Sequence, residues 1–82
     1  MTKRDDFTDW VRDALVANGG RGSIVDVARH VWTHHEHELK RSGDLFFTWQ
    51  YDVRWAATTL RKQGVIVDAS VSPKGIWELA KP

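Results

Sequence analysis

Residues 48–82, TWQYDVRWAATTLRKQGVIVDASVSPKGIWELAKP, decide how this chain folds. Trp49, Val53, Ala56, Ala57 and Leu60 recur at three- and four-residue intervals, the spacing of one buried helical stripe. Ala56 and Ala57 are small enough to let another helix approach closely. Thr48 is a plausible N-cap, since its hydroxyl can accept from a free amide of the first turn. Arg61 and Lys62 fall in the last turn, where cations offset the partial negative charge of the helix end. Gly64 is the stop signal. Val65-Ile66-Val67 is a β-branched run and reads as a strand. Ser72-Pro73-Lys74-Gly75 fits a type I turn, with Pro second and Gly fourth. Ile76-Trp77-Glu78-Leu79 is the return strand, with Trp77 and Leu79 on the face opposite Glu78. The stretch therefore reads as a helix followed by a β-hairpin.

Upstream, the pattern is helical again. Phe7, Trp10, Val11, Ala14 and Leu15 form one stripe over about Asp5 to Asn18. Asp5, Asp6 and Asp9 lie in the first turns of that helix, where its dipole favours negative charge. Asn18-Gly19-Gly20 ends it. Ser23 then opens a second helix, because Ser-Ile-Val-Asp has the spacing of a capping box. Ile24, Val27, Ala28, Val31, His35 and Leu39 share one face of it, with Trp32 at the edge. The helix is expected to fade near Lys40, before the break at Ser42-Gly43-Asp44. Leu45-Phe46-Phe47 reads as an apolar plug tucked onto the core. A short strand near Arg21–Ser23 is expected to pair with the hairpin. No internal repeat or linker is visible, so residues 1–82 read as one domain. Its class is α+β, mainly helical: three helices followed by a hairpin.

The composition bounds what such a domain can do. A chain of 82 residues has a high surface-to-volume ratio, so its core must be rich in large side chains. Five tryptophans meet that need: Trp10, Trp32, Trp49, Trp55 and Trp77. There is no cysteine, which excludes disulfides and thiolate zinc sites and suits a reducing, cytoplasmic location. No apolar run is long enough to cross a membrane, and MTKRDDFTDW lacks the apolar stretch of a signal peptide. The net charge is only +1, but it is unevenly spread. Residues 1–47 hold seven Lys/Arg against eight Asp/Glu, whereas residues 48–82 hold five against three. That tilt has the sign of a surface facing an anionic partner.

Val53-Arg54-Trp55-Ala56, Leu60-Arg61-Lys62-Gln63-Gly64-Val65-Ile66 and Lys74-Gly75-Ile76-Trp77-Glu78-Leu79 together resemble a known pattern. They are similar to the winged helix-turn-helix domain at the N-terminus of Mrr-type restriction endonucleases. The match is fullest over residues 48–80 and looser over residues 10–47. The resemblance implies a winged-helix fold, with the hairpin as the wing, and a DNA-binding role. It does not carry cleavage over, because 82 residues leave no room for the nuclease domain of those enzymes.

In such a domain the third helix enters the major groove. Gln50, Tyr51, Arg54, Thr58 and Lys62 then become the candidate contacts on its outer side, at about 100° per residue from the buried stripe. Arg can reach guanine O6 and N7 with two hydrogen bonds, and Thr can meet a thymine methyl. Tyr51 can bond a phosphate, and Arg61 and Lys62 lie near the backbone at the helix end. Trp55 shares that outer side but is expected to pack. Lys74 at the hairpin tip is either a backbone contact or an ordinary exposed lysine. Arg21 and Ser23, at the start of the second helix, either hold a phosphate at its positive end or simply cap it. The partner class expected is double-stranded DNA. The alternative is a protein-docking or homodimerising winged helix that binds no DNA.

The histidines offer a third theme. His30, His34 and His37 fall on one line of the second helix, continued by Asp26. Their spacing resembles metal-ligand spacing, yet one straight helix seldom supplies a tetrahedral set. They read as an exposed face that gains charge below about pH 6.5. His35 points to the core side. No nucleophile–base pair is legible around Ser23, Ser42, Ser70 or Ser72, so neither catalysis nor a cofactor nor a metal is expected.

Overall fold

The computed structural model describes residues 3–80. Met1, Thr2, Lys81 and Pro82 lie outside them, so Lys81, one of the cations counted over residues 48–82, receives no structural account. The element order is α1 (Asp6–Ala17), β1 (Arg21–Ser23), α2 (Ile24–Lys40), α3 (Leu45–Lys62) and β2 (Ile76–Glu78).

One core joins the three helices. Phe7, Val11 and Leu15 of α1, Val27, Val31 and Leu39 of α2, and Val53, Ala56 and Leu60 of α3 are buried together, with Ile66 closing the far end. Trp10 and Trp49 are buried as well, while Trp32, Trp55 and Trp77 are half-buried against the same cluster. The aromatics interlock: Trp32 stacks on Trp49 at 5.8 Å, and Phe7 meets Trp10 edge-on at 4.9 Å. All five tryptophans thus serve the fold, as the small size of the chain demands.

The helix starts and stops follow hydrogen-bond chemistry. At α2 the Asp26 N–H donates to Ser23 Oγ and the Ser23 N–H donates to Asp26 Oδ2, both at 3.1 Å, which completes the expected capping box. That second bond, with the Ser23 hydroxyl behind it, holds the Asp26 carboxyl below its ordinary range. Beyond Lys62 the chain makes a 5→2 and a 6→1 pair: Gly64 N–H to Arg61 O at 3.1 Å and Val65 N–H to Leu60 O at 2.9 Å. Gly64 takes φ +79°, which a side chain would resist, so the glycine stop is required there. Inside α2, His35 leaves helical geometry at φ −131°, ψ 16°, and its ring lies flat on Trp10 at 3.8 Å.

Three local expectations need correction. Thr48 is not the N-cap of α3: the helix begins a turn earlier, at Leu45. Leu45, Phe46 and Phe47 already donate to carbonyls three residues back, so no extended residue remains near Thr48 to act as a cap. Thr48 instead donates its hydroxyl to Asp52 Oδ2 at 2.8 Å. The apolar triplet is therefore the first turn of α3 and not a plug. Leu45 packs on the core but Phe47 is 83% exposed.

The second correction concerns Val65-Ile66-Val67. The Val65 and Ile66 N–H groups both turn back to Leu60 O, so the helix end has consumed the amides a strand would use. What remains is a single bridge, Ile66 opposite Leu79, flanked by Val67 N–H to Glu78 O and Ala80 N–H to Val65 O. The third concerns the tip. The closing bond runs from Ile76 N–H to Pro73 O at 3.0 Å, so the turn is Pro73–Ile76, one residue later than expected. Gly75 occupies its third position at φ +81°, the glycine requirement of a type II turn.

The strand near Arg21–Ser23 pairs antiparallel with β2 in the register Arg21–Glu78, Gly22–Trp77 and Ser23–Ile76. The segment 76–80 is thus flanked by β1 on one side and the Ile66 bridge on the other. Residues 68–75 loop out between them. Asp68 folds the start of that loop by accepting from the Ser70 N–H and hydroxyl, which lowers its carboxyl pKa.

Candidate nucleic-acid interface

Burial of Trp49, Val53, Ala56 and Leu60 fixes the rotation of α3. The opposite side is left outward: Gln50, Tyr51, Arg54, Thr58 and Lys62 are all exposed. Because α3 begins at Leu45, this line extends to Phe47, four residues before Tyr51. Phe47 and Tyr51 had the right spacing to be read as one stripe; the misplaced helix start hid it.

The site residues are not equally free. Thr58 donates its hydroxyl to Arg54 O at 3.2 Å, which leaves its methyl and oxygen lone pairs outward. Arg61 is half-buried and donates Nε–H to Val67 O at 3.2 Å, so it ties α3 to the bridge segment. It also borders, with Pro73 and Lys74, a cleft of about 320 Å³ beneath the loop 68–75. Arg61 and Lys74 are thereby brought to one place. Arg21 lies exposed on β1, directly across from Glu78, and Ser23 is spent on the capping box. The carboxylate of Asp26 already sits at the positive end of α2.

Arg54, Gln50 and Tyr51 share a second cleft, of about 320 Å³, with Ile24, Val25 and Ala28 of α2. The first turns of α2 and the outer side of α3 therefore form one surface. Its neighbour, lined by Val25, Ala28, Trp32, Phe46 and Trp49 with Arg29 and Gln50 at its polar side, measures about 460 Å³. Among the described residues, the ion pairs use Arg4, Arg12, Lys40 and His35, and none uses Arg21, Arg54, Lys62 or Lys74.

One cation beside α3 was missed in the sequence. Arg4 precedes α1, yet its Nε lies 3.2 Å from Asp52 Oδ1 and its guanidinium sits 4.2 Å over the Trp55 ring. Trp55 packs as expected, between this guanidinium and the core. Arg4 is separated from Asp52 and Trp55 in sequence by α1, β1 and all of α2, so no local spacing announces the pair.

The histidine line lies elsewhere, on the side of α2 facing the end of α1. The His30 and His34 rings lie 4.1 Å apart, tilted by 35°, and His30 borders a cleft with Ala14 and Asn18. Burial, then the neighbouring His34, holds the His30 imidazole below its ordinary pKa. His37 is exposed, and no three His, Asp or Glu side chains among the described residues are grouped to hold a metal. No protein-family model matches the chain, and the searches of curated proteins and of solved structures found no match either.

Proposed function

We propose that this chain is a winged helix-turn-helix domain that binds duplex DNA without catalysis, of the kind found at the N-terminus of Mrr-type restriction endonucleases. In this reading α3 enters the major groove, the loop 68–75 is the wing along the backbone, and exposed Arg21, just before α2, faces a phosphate. The observation that carries it is Arg54: exposed, without a carboxylate partner among the described residues, and set on α3 in a cleft shared with the first turn of α2. Lys62 and Lys74 add exposed positive charge along the same side and at the loop. The sheet order, with segment 76–80 between β1 and the Ile66 bridge, supports the winged reading of the hairpin. Fluorescence anisotropy with a labelled mixed-sequence duplex tests the proposal. Affinity is expected to fall with salt, at a slope of roughly −3 if Arg21, Lys62 and Lys74 each neutralise a phosphate. No binding at low salt and tens of micromolar protein contradicts it.

A second reading has its own observation. Phe47, Tyr51 and Val25 are exposed apolar or aromatic side chains; Val25 borders both the Arg54 cleft and its neighbour, and Tyr51 borders the Arg54 cleft. Exposed large apolar side chains gathered on one side of a small domain suit a protein partner or a second copy. Sedimentation equilibrium separates the two: a dimer that Phe47→Asp dissolves favours docking, and a monomer at all concentrations removes the homodimer.

A further inference from the structure

Arg4 is held in an unusual way for a residue outside the regular elements. Asp52 is 4% exposed; its Oδ2 accepts from the Thr48 hydroxyl at 2.8 Å, and its Oδ1 is ion-paired with Arg4 Nε at 3.2 Å. A buried carboxylate of this kind needs a partner, and Arg4 supplies it. The ion pair engages the Nε side of the guanidinium. The guanidinium carbon lies over the Trp55 ring, 4.2 Å from its centroid, and 6.0 Å from the centroid of the Tyr51 ring. The Arg4 side chain is nonetheless 44% exposed. Carboxylate and ring together hold the guanidinium beside α3, and no hydrogen bond or ion pair among the described residues uses its terminal Nη groups.

We infer that Arg4 is a phosphate-binding residue of the α3 surface, pre-set by Asp52 and Trp55 to offer its Nη fork to a DNA backbone oxyanion. This rests on the DNA-binding reading above. A fork presented in plane matches two phosphate oxygens, which a lysine at the same place cannot do. Its rotamer freedom is lost on folding and not on binding, so less entropy opposes the contact. The exposed Tyr51 hydroxyl on the neighbouring turn is a second donor for the same phosphate.

The test is a salt series of duplex titrations on the full chain and on Arg4→Ala and Arg4→Lys, with thermal melts of each. Arg4→Ala is expected to weaken binding about fivefold to tenfold and to reduce the salt slope by about 0.9, the loss of one phosphate contact. Arg4→Lys is expected to restore the slope but not the full affinity. A lowered melting temperature with affinity and slope unchanged, both read below the melt, overturns the inference and leaves Arg4 a staple. Should Arg4→Ala not fold, Arg4→Lys decides alone, and wild-type affinity in it overturns the inference. If the unaltered chain binds no duplex, both this inference and the DNA-binding reading fall; if it binds and only Arg4 proves silent, this one falls alone.

Discussion

The two sides of α3 obey different rules. On the inner side, Trp49, Val53, Ala56, Ala57 and Leu60 are each explained by what they touch: they are buried, and they meet α1 and α2 across one core. On the outer side, Phe47, Tyr51, Arg54 and Lys62 touch little that the fold requires, and Phe47 and Tyr51 are exposed despite their size. A side chain that the fold accounts for says nothing further about function. One that the fold leaves unexplained is where a partner has to be sought, and here those residues fall in one line.

Substitutions that separate the two sides test this division. Leu60→Ala carries the largest expected effect: about 2–5 kcal/mol lost in chemical unfolding, from transfer and cavity terms together. Its duplex affinity, measured where the variant is folded, should be unchanged. Arg54→Ala is expected to do the reverse. It should cost about 1–3 kcal/mol in binding if Arg54 reads a base, while stability stays within about 0.5 kcal/mol. Equal affinity would remove Arg54 from the site, and a large loss of stability would erase the contrast between the sides.

Smaller effects sharpen the boundary at α2. Ser23→Ala removes the capping box and should cost about 1 kcal/mol in stability. If binding falls by more than that loss can explain, Ser23 faces a phosphate as well as its own helix. The smallest effect expected is pH dependence from His30. Burial lowers its folded pKa, so as pH falls the unfolded chain takes up the proton first. The contribution of neutral His30 is therefore complete above the ordinary value of 6.5 and is lost as pH falls below it towards the depressed folded value. Melts across that window should show declining stability, and His30→Gln should flatten the decline. An unchanged decline would assign it to other groups.

Much of this fold was legible because its signals are local. The stripes of α1 and α3, the Ser23–Asp26 capping box and the Gly64 stop all lie within a few residues of the atoms they serve. The start of α3 was not legible, because Asp44 makes no side-chain cap and Thr48 looked like one. The strand at Val65–Val67 was over-read: β-branched composition cannot reveal that Leu60 O takes two of its amides. The turn shifted by one because Gly75 serves its φ and not its position in a Pro-led pattern. At the candidate site, Arg54, Tyr51 and Lys62 followed from helical periodicity alone. Arg4 did not, since its partners Asp52 and Trp55 become neighbours only when α1 docks on α3. The partial commitment of Arg61 to Val67 O was invisible for the same reason.

The most direct test of the central claim is an amide NMR titration of the full chain with a mixed-sequence duplex at low salt. The account predicts shifts that gather on Gln50, Tyr51, Arg54, Thr58 and Lys62 and on Lys74 of the loop, fading as salt is raised. Shifts confined to the histidine side of α2 and the exposed side of α1, or no shifts at all, would contradict it.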